Sequence, residues 1–315
     1  MILFLLATVV GLVMLTFAAD AFVEGAARLA SAFRVSPVVI GAIVIGFGTS
    51  APEMVVSGLA SAQGNPDIAV GNIIGSNVAN LTLVLGTASL IVLVRTSSQT
   101  VRREAPLSLG AVLLFAVLVQ DGLQRWEGGV LAVALVLTLS WLLSDMRSGS
   151  EDELVEEVRE FIDADWGVDR RAEVIRTVVG LVGTIVGAQL TVYGATGVAD
   201  ELGLAEGFVG LTLVALGTSL PELTTAVAAA RKGEDELLLG NLLGSNIFNS
   251  LAVGAIAALL GPGRLDDPGL AGLPVAVMVV TALIASVFII TDRTVTRYEG
   301  TALLVGYAVV LPFLA

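Results

Sequence analysis

The sequence contains no cysteine and no histidine, and these two absences exclude much of the usual chemistry of proteins. Without cysteine there is no disulfide, no thiol chemistry and no thiolate metal site. Without histidine the chain lacks the usual general base and the commonest transition-metal ligand. Charge is also scarce, because only 14% of the 315 residues are charged, whereas soluble domains have roughly 25%. The composition therefore excludes an ordinary soluble domain.

Hydrophobic residues make up 56% of the chain, and its mean hydropathy is +0.91. Apolar runs of about 20 residues, the length that spans a bilayer as a helix, recur along the whole sequence. The first run has neither a basic region before it nor a small-residue cleavage site, so we interpret it as a membrane helix and not as a cleaved signal. The sequence predicts an all-α integral membrane protein.

The apolar runs predict ten transmembrane helices, of which the fourth and the last are short. A long acidic segment separates the fifth from the sixth. It divides the chain into a first five-helix repeat (1–147), a cytoplasmic linker (148–172) and a second five-helix repeat (173–315). The predicted spans are 2–24, 38–61, 69–92, 105–120, 127–145, 174–198, 207–230, 238–260, 272–290 and 300–315.

The net charge of −13 lies almost entirely in the loops. Cytoplasmic loops of membrane proteins collect Lys and Arg close to the ends of their helices. With the N-terminus outside, 14 of the 16 basic residues fall in cytoplasmic loops, and only Arg125 and Arg264 fall outside. The sequence therefore predicts a multi-pass protein of the cell membrane, with both termini outside and the acidic loop in the cytoplasm.

An internal repeat relates the two halves at an offset of 169 residues. Segment 48–53 (GTSAPE) matches segment 217–222 (GTSLPE), and segment 71–80 matches segment 240–249 without a gap. Five spans per half is an odd number, so the second half crosses the membrane in the opposite sense to the first. The repeat predicts two inverted-topology repeats, with a site near the midplane where they meet.

Two glutamates, Glu53 and Glu222, place carboxylates inside otherwise apolar runs. A charged side chain in the bilayer costs at least a few kcal/mol and marks a functional site by default. No Lys or Arg occurs in residues 35–94 or 177–230, so the local sequence offers neither glutamate a basic partner, although a distant span could. The open alternatives are a bound cation, a proton, or both in turn.

Pro52 interrupts the apolar run next to Glu53. On a continuous helix, Thr49 and Ser50 would lie on the same face as Glu53. Pro52 removes a backbone donor and frees carbonyl groups near Gly46. A broken helix at membrane depth is tolerated only where protein buries it or where it lines a wet cavity. The resulting carboxylate, hydroxyl and carbonyl oxygens suit sodium or calcium, and not zinc or copper.

A polar stripe follows on the third predicted helix, where Asn72, Ser76 and Asn80 recur every four residues. Ser, Thr and Asn in membrane helices often only form hydrogen bonds between helices, so a structural role is the alternative for each residue alone. The constellation as a whole predicts cation binding. The second half repeats the stripe as Asn241, Ser245 and Asn249.

Segments 48–53 and 71–77, with their counterparts in the second half, resemble the alpha repeats of the calcium/cation antiporter superfamily. The resemblance is strongest to the prokaryotic ten-helix type of sodium/calcium exchanger. It implies four neighbouring ion sites around the second, third, seventh and eighth helices, and exchange of one calcium for about three sodium ions by alternating access. It also implies a secondary transporter that is not an enzyme, with no cofactor, no nucleic acid and no obligate protein partner.

Carried over by motif position, the resemblance makes Glu53 and Glu222 the carboxylates that hold calcium and share the sodium sites. The chain departs from many family members at Asn249, where they carry Asp, so its centre has two carboxylates and no third. That departure leaves open the stoichiometry, the dependence on potassium and the monovalent ion, with Li⁺ or H⁺ as alternatives to Na⁺. The implied metal ligands are Glu53, Glu222, Thr49, Thr218, Ser50, Ser219, Asn80, Asn249, Ser76, Ser245, Gly46 and Ala215.

Three other functions compete with this interpretation. A proton/calcium antiporter of the same superfamily is the nearest, but such proteins tend to carry an ionisable residue, often His, where this chain has Asn. A cation channel is also conceivable, yet inverted repeats in one chain favour alternating access. An intramembrane hydrolase would use Ser50 or Ser219 as its nucleophile, and duplication of the whole constellation argues against a single catalytic centre.

Overall fold

The computed structural model describes residues 1–32, 48–96, 103–147, 170–291 and 293–313. In a bilayer an apolar chain must satisfy its backbone polar groups internally, which favours helices. The described chain is accordingly helical almost throughout. Its two-stranded antiparallel ladder joins β1 (Val94–Arg95) to β2 (Thr294–Val295).

The first half of the described chain contains six helices. The third continues through the π-helical turn Asn80–Val84 into the fourth, so that together they form one long segment. The six helices are α1 (Ile2–Ala32), α2 (Ala51–Ala62), α3 (Pro66–Ala79), α4 (Leu85–Ile91), α5 (Glu104–Leu118) and α6 (Arg125–Arg147).

The second half contains eight described helices, some of which are also joined by π-helical turns. The turn Gly210–Val214 joins α8 to α9, and the turn Asn249–Val253 joins α11 to α12. The eight helices are α7 (Arg170–Leu202), α8 (Glu206–Val209), α9 (Ala215–Thr218), α10 (Leu220–Lys232), α11 (Asp235–Phe248), α12 (Gly254–Leu260), α13 (Leu273–Thr291) and α14 (Arg297–Val310).

Eight of the ten predicted spans are long and apolar enough to cross a membrane. Seven such helical segments occur in the described residues, and the segment from α8 to α10, which is bent by 42°, makes an eighth. The predicted span 38–61 lies partly outside the described residues. The predicted span 300–315 corresponds to α14, which has 14 residues.

Several predicted boundaries differ from those of the structure. Helix α1 extends to Ala32, well beyond the predicted end at residue 24, and α7 begins at Arg170, inside the predicted linker. Hydropathy locates the apolar part of a helix and misses its charged ends. The remainder of the predicted linker, residues 148–169, lies outside the described part of the chain.

The charged ends of α1 and α7 are held together by ion pairs. Arg28 binds Glu24 at 2.5 Å and Glu173 at 3.5 Å, and Arg176 binds Glu24 at 3.0 Å. Mutual pairing lets both helices continue past their apolar stretches.

Helices α1 and α7 run antiparallel and pack side by side along most of their length. Gly11 lies against Thr191, and Gly187 lies against Leu15. A Cβ atom at either glycine would collide with the facing backbone, so the close approach requires small residues.

The two halves also exchange contacts reciprocally. Helix α14 packs on α4, and α6 packs on α12. The 169-residue offset carries α4 onto α12 and the membrane part of α6 onto α14. The loops that adjoin these helices also pair between the halves. Val94 pairs with Val295, and Leu123 forms a bridge to Gly263. The last helix of each half therefore covers the other half.

Burial places two segments at the centre of the molecule. In the apolar stretch of Pro66–Ile91, 94% of the residues are buried, and in that of Leu237–Leu260, 83% are. The corresponding value for Arg125–Leu142 is 17%, which leaves most of that helix for lipid. The two central segments are those that carry the polar stripes.

Candidate metal centre

Both GTSxPE motifs lie at helix breaks. In the second half, α9 ends at Thr218 and α10 begins at Leu220, with Pro221 in its first turn. Proline is tolerated there because the N–H that it lacks has no partner within the helix. In the first half, α2 begins at Ala51. Thr49 and Ser50 therefore precede the helix of Glu53: the helix break predicted from Pro52 is present, and the three side chains do not share one face of a continuous helix.

The carboxylates of Glu53 and Glu222 are fully buried and interact electrostatically with each other. Among the described residues, none of their four oxygens accepts a hydrogen bond, and neither group forms an ion pair. A bare buried carboxylate is costly, and a pair of them costs more, because like charges repel. Within the described residues, nothing supplies the positive charge that would balance this pair.

Neutral oxygens from both halves lie beside the Glu53 carboxylate. Glu53 lies beside the hydroxyl groups of Thr218, Ser219 and Ser76, without the geometry of a formed hydrogen bond. The hydroxyls of Ser219, Ser76 and Ser50 are buried, and they too find no partner within the described chain. These oxygens are available to a cation.

Two asparagines lie where the central segments become π-helical. Asn80 begins the first central π turn, and Asn249 begins the second. The amide nitrogen of Asn80 donates to Asn246 at 3.1 Å, which leaves the Asn80 oxygen without a described partner. Both polar atoms of the Asn249 side chain are buried and unpaired in the described residues. π turns are frequent at functional sites. The amide oxygens of the two asparagines that begin these turns have no hydrogen-bond partner among the described residues.

The two threonines of the motifs bind asparagines across the halves. Thr49 donates to Asn241 at 3.3 Å and lies 2.9 Å from the hydroxyl of Ser245. Thr218 donates to Asn72 at 3.1 Å. The threonine–asparagine bonds are equivalent under the 169-residue offset, so each motif is anchored on the polar stripe of the other half.

Of the two residues predicted to supply carbonyl ligands, the structure describes only Ala215. The carbonyl of Ala215 lies 3.3 Å from the Thr218 hydroxyl, which donates to it, at the end of the broken helix. Gly46 lies outside the described residues. Of the predicted side-chain ligands, the structure brings Glu53 close to Glu222, Thr218, Ser219 and Ser76, and Thr49 close to Ser245. The remaining ligands stay a prediction.

Several polar residues near the centre were not among the predicted ligands. Asn77 accepts a hydrogen bond from Ser250 at 3.3 Å, and Asn246 accepts one from Asn80. Ser57 accepts one from Asn72 at 2.9 Å. Asn77 and Asn246 are repeated identically at the 169-residue offset, which is the signal that could have identified them.

The donor set suits a hard cation. It combines two carboxylates with neutral hydroxyl and amide oxygens, the ligands that calcium and sodium accept. Among the described residues, no group of three or more acidic, His or Cys side chains forms a metal cluster. Membrane-spanning helices around such a buried, oxygen-lined centre define a membrane transporter of cations.

Comparison with known proteins identifies the family. The family described as sodium/calcium exchanger protein matches residues 3–144 and 173–315. The chain therefore belongs to the sodium/calcium exchanger family, whose members are secondary transporters and not enzymes.

Individual relatives agree along nearly the whole chain. The putative antiporter CaxA of Alkalimonas amylolytica is 37% identical over 306 residues, covering 95% of this chain and 94% of that protein. The sodium/calcium exchanger MaX1 of Methanosarcina acetivorans is 31% identical over 334 residues, covering 96% and 95%. The solved structure of the sodium-calcium exchanger NCX_Mj, soaked with 2.5 mM Na⁺ and 0.1 mM Ca²⁺, superposes with a TM-score of 0.66 at 31% identity and covers 100% of this chain and 99% of its own.

Proposed function

We propose that this protein exchanges calcium for sodium across the membrane by alternating access, with one central site shared by both ions. The observation that carries the proposal is the pair Glu53 and Glu222: two buried, interacting carboxylates with no described hydrogen-bond partner. The name of the relative MaX1 and the ions soaked into NCX_Mj support calcium and sodium as the transported pair.

Charge balance explains how one site couples two ions. One calcium ion neutralises two carboxylates, and sodium ions that bind the same oxygens must displace it. A ligand shifts a conformational equilibrium only through its different affinity for the two states. Two bare carboxylates repel each other and resist closure, whereas either cation relieves that repulsion. The protein therefore changes between its inward-facing and outward-facing states mainly with calcium or sodium bound, which couples the movement of one ion to that of the other.

The proposal includes ten helices arranged as two inverted repeats. It is supported by the reciprocal packing of α14 on α4 and α6 on α12, and by the antiparallel pair of equivalent helices α1 and α7. Inverted repeats give the inward-facing and outward-facing states similar structures, which is the design expected for alternating access.

Flux measurements on purified protein in liposomes test the proposed ion pair. Vesicles loaded with sodium and diluted into sodium-free buffer should take up calcium, and vesicles without the sodium gradient should not. A pH gradient of equal size serves as the comparison. Uptake driven as well by the pH gradient alone would contradict sodium coupling and favour the proton/calcium alternative.

The shared carboxylates are tested by Glu53→Gln and Glu222→Gln. Each substitution should reduce calcium uptake by about 100-fold or more, because an uncompensated charge in a buried site costs about 3–5 kcal/mol. Glu234→Gln is the matched control, since Glu234 lies on a loop with its side chain 38% exposed. Size-exclusion profiles verify folding. Normal uptake by a folded Glu53→Gln protein would refute the assignment of the site.

A further inference from the structure

Asn72 connects two hydroxyl groups at the edge of the centre. Its amide nitrogen donates to the hydroxyl oxygen of Ser57 at 2.9 Å, and its amide oxygen accepts from the hydroxyl of Thr218 at 3.1 Å. All three side chains are buried. Asn72 thus joins α2, α3 and the broken helix of the other half.

The direction of this chain of hydrogen bonds is set by the backbone. The Ser57 hydroxyl donates its single proton to the carbonyl of Ala69 at 3.3 Å. Its oxygen can therefore only accept from Asn72, and this makes the amide nitrogen of Asn72 face Ser57 and the amide oxygen face Thr218.

This orientation determines what Thr218 presents to the centre. Thr218 has one hydroxyl proton, and the acceptors for it are the oxygen of Asn72 and the carbonyl of Ala215 at 3.3 Å. The bond to Asn72, at 3.1 Å the shorter of the two, engages this proton, so lone pairs of the Thr218 oxygen remain for a cation beside Glu53, which lies next to the hydroxyl. Two acceptors side by side repel each other and attract a cation between them.

The second half lacks the anchor. The residue equivalent to Ser57 under the 169-residue offset is Ala226, which has no hydroxyl. Asn241, equivalent to Asn72, accepts from Thr49 at 3.3 Å, but its buried amide nitrogen has no partner among the described residues. The Thr49 hydroxyl also lies 2.9 Å from Ser245. Among the described residues, no second bond like that of Ser57 to Asn72 fixes the orientation of the Asn241 amide, so the direction of its bond to Thr49 is not imposed.

We propose that Asn72, anchored by Ser57, is a positioning residue that directs the Thr218 oxygen towards the transported cation, and that Asn241 lacks this anchor. The two ends of the site then differ in preorganisation, and the Thr218 end holds the cation more tightly. The inference rests on the proposed function, because it requires a cation beside Glu53.

The test compares two substitutions with opposite expected effects. Ser57→Ala removes the anchor of Asn72 and should raise the KM for calcium about three- to tenfold, the change expected for one hydrogen bond. Ala226→Ser supplies the missing anchor to Asn241 and should lower the KM by a similar factor. The kcat should stay within about twofold in both proteins, because neither residue contacts the ion. Ser61→Ala, a buried serine one turn further along α2, is the matched control and should leave the KM unchanged.

Binding is measured separately, as the calcium concentration that gives half of the maximal thermal stabilisation of the purified protein. It should shift in the same directions as the KM in the two variants. Equal calcium dependence in wild type, Ser57→Ala and Ala226→Ser, with wild type stabilised by calcium, would overturn the positioning role alone. A wild-type protein that calcium stabilises but that performs no sodium-dependent exchange would overturn the proposed function instead.

Discussion

At the scale of single residues, the charge of the centre depends on Asn249. The side chain is buried, both of its polar atoms lack described partners, and it begins the second central π turn. An amide supplies an oxygen to a cation without adding negative charge. The two carboxylates Glu53 and Glu222 then balance one calcium ion or two sodium ions, and charge balance favours exchange that moves no net charge.

The substitution Asn249→Asp should therefore change how transport responds to voltage. A third carboxylate accommodates an additional sodium ion, so exchange should become electrogenic, and calcium uptake into sodium-loaded vesicles should depend on an imposed potassium diffusion potential. Wild-type uptake should be insensitive to that potential. Asn65→Asp, the same change in the loop before α3, is the control. Equal voltage dependence in wild type and Asn249→Asp would contradict the charge argument.

At the scale of elements, the site depends on close contact between α3 and the π turn Gly210–Val214. Gly75 faces the carbonyl of Leu211 in this turn, and Gly71 faces the carbonyl of Gly207 in α8, directly before it. A methyl group at either glycine would collide with that backbone. The contact matters because α3 carries one polar stripe, and the π turn leads directly into the broken helix that ends at Thr218.

Gly75→Ala should destabilise the protein, although alanine is the better helix former. We expect a cost of about 1–3 kcal/mol, because overpacking separates α3 from the π turn, with loss of calcium uptake. Gly110→Ala is the matched comparison, since Gly110 lies in α5 with open space around it. It should be neutral or stabilise by about 1 kcal/mol at most. Thermal unfolding in detergent measures the stability of both variants. Equal midpoints would show that the contact between α3 and the π turn can accommodate a methyl group.

At the scale of the whole molecule, α1 and α7 form an antiparallel pair with charged contacts at both ends. At one end the N-terminal amine of Met1 pairs with Glu201, and at the other Arg28 and Arg176 pair with Glu24 and Glu173. The seam between these ends is built of small residues. Such a seam lets two helices move as one unit against the rest of the molecule, which is what the proposed alternating access requires.

The orientation of the molecule in the membrane is testable directly, because the chain has no cysteine that would give background labelling. Two single-cysteine variants are needed, Asp121→Cys and Glu234→Cys. Asp121 lies in an exposed loop predicted to be outside, and Glu234 lies in a loop predicted to be cytoplasmic. A membrane-impermeant maleimide should label the first in intact cells and the second only after permeabilisation. The reverse pattern would invert the predicted topology. Labelling of both on one side would contradict the number of spans between them.

The membrane class, most of the spans and the chemistry of the centre were predictable from the sequence. Hydropathy depends on composition over about 20 residues, and helices are nearly obligatory in lipid. The buried charge of Glu53 and Glu222 and their repetition at a fixed offset predicted a cation site at the junction of the halves. Hydropathy, a charge in an apolar run and an internal repeat are all properties of the sequence itself, so the membrane class was determined by it and the cation site could be predicted from it.

Only the tertiary structure decided which groups meet. Thr218 reaches Asn72 and Thr49 reaches Asn241 across more than a hundred residues of chain, and no local spacing specifies those contacts. The π turns at Asn80 and Asn249 depend on packing that overrides the regular helical period, whereas the helix break before Glu53 was predictable from Pro52. The difference between Ser57 and Ala226 is visible in the sequence. Its consequence can be inferred only from the structure, which shows that Asn72 donates a hydrogen bond to Ser57. Packing decides which oxygens are satisfied by the protein and which are left for an ion.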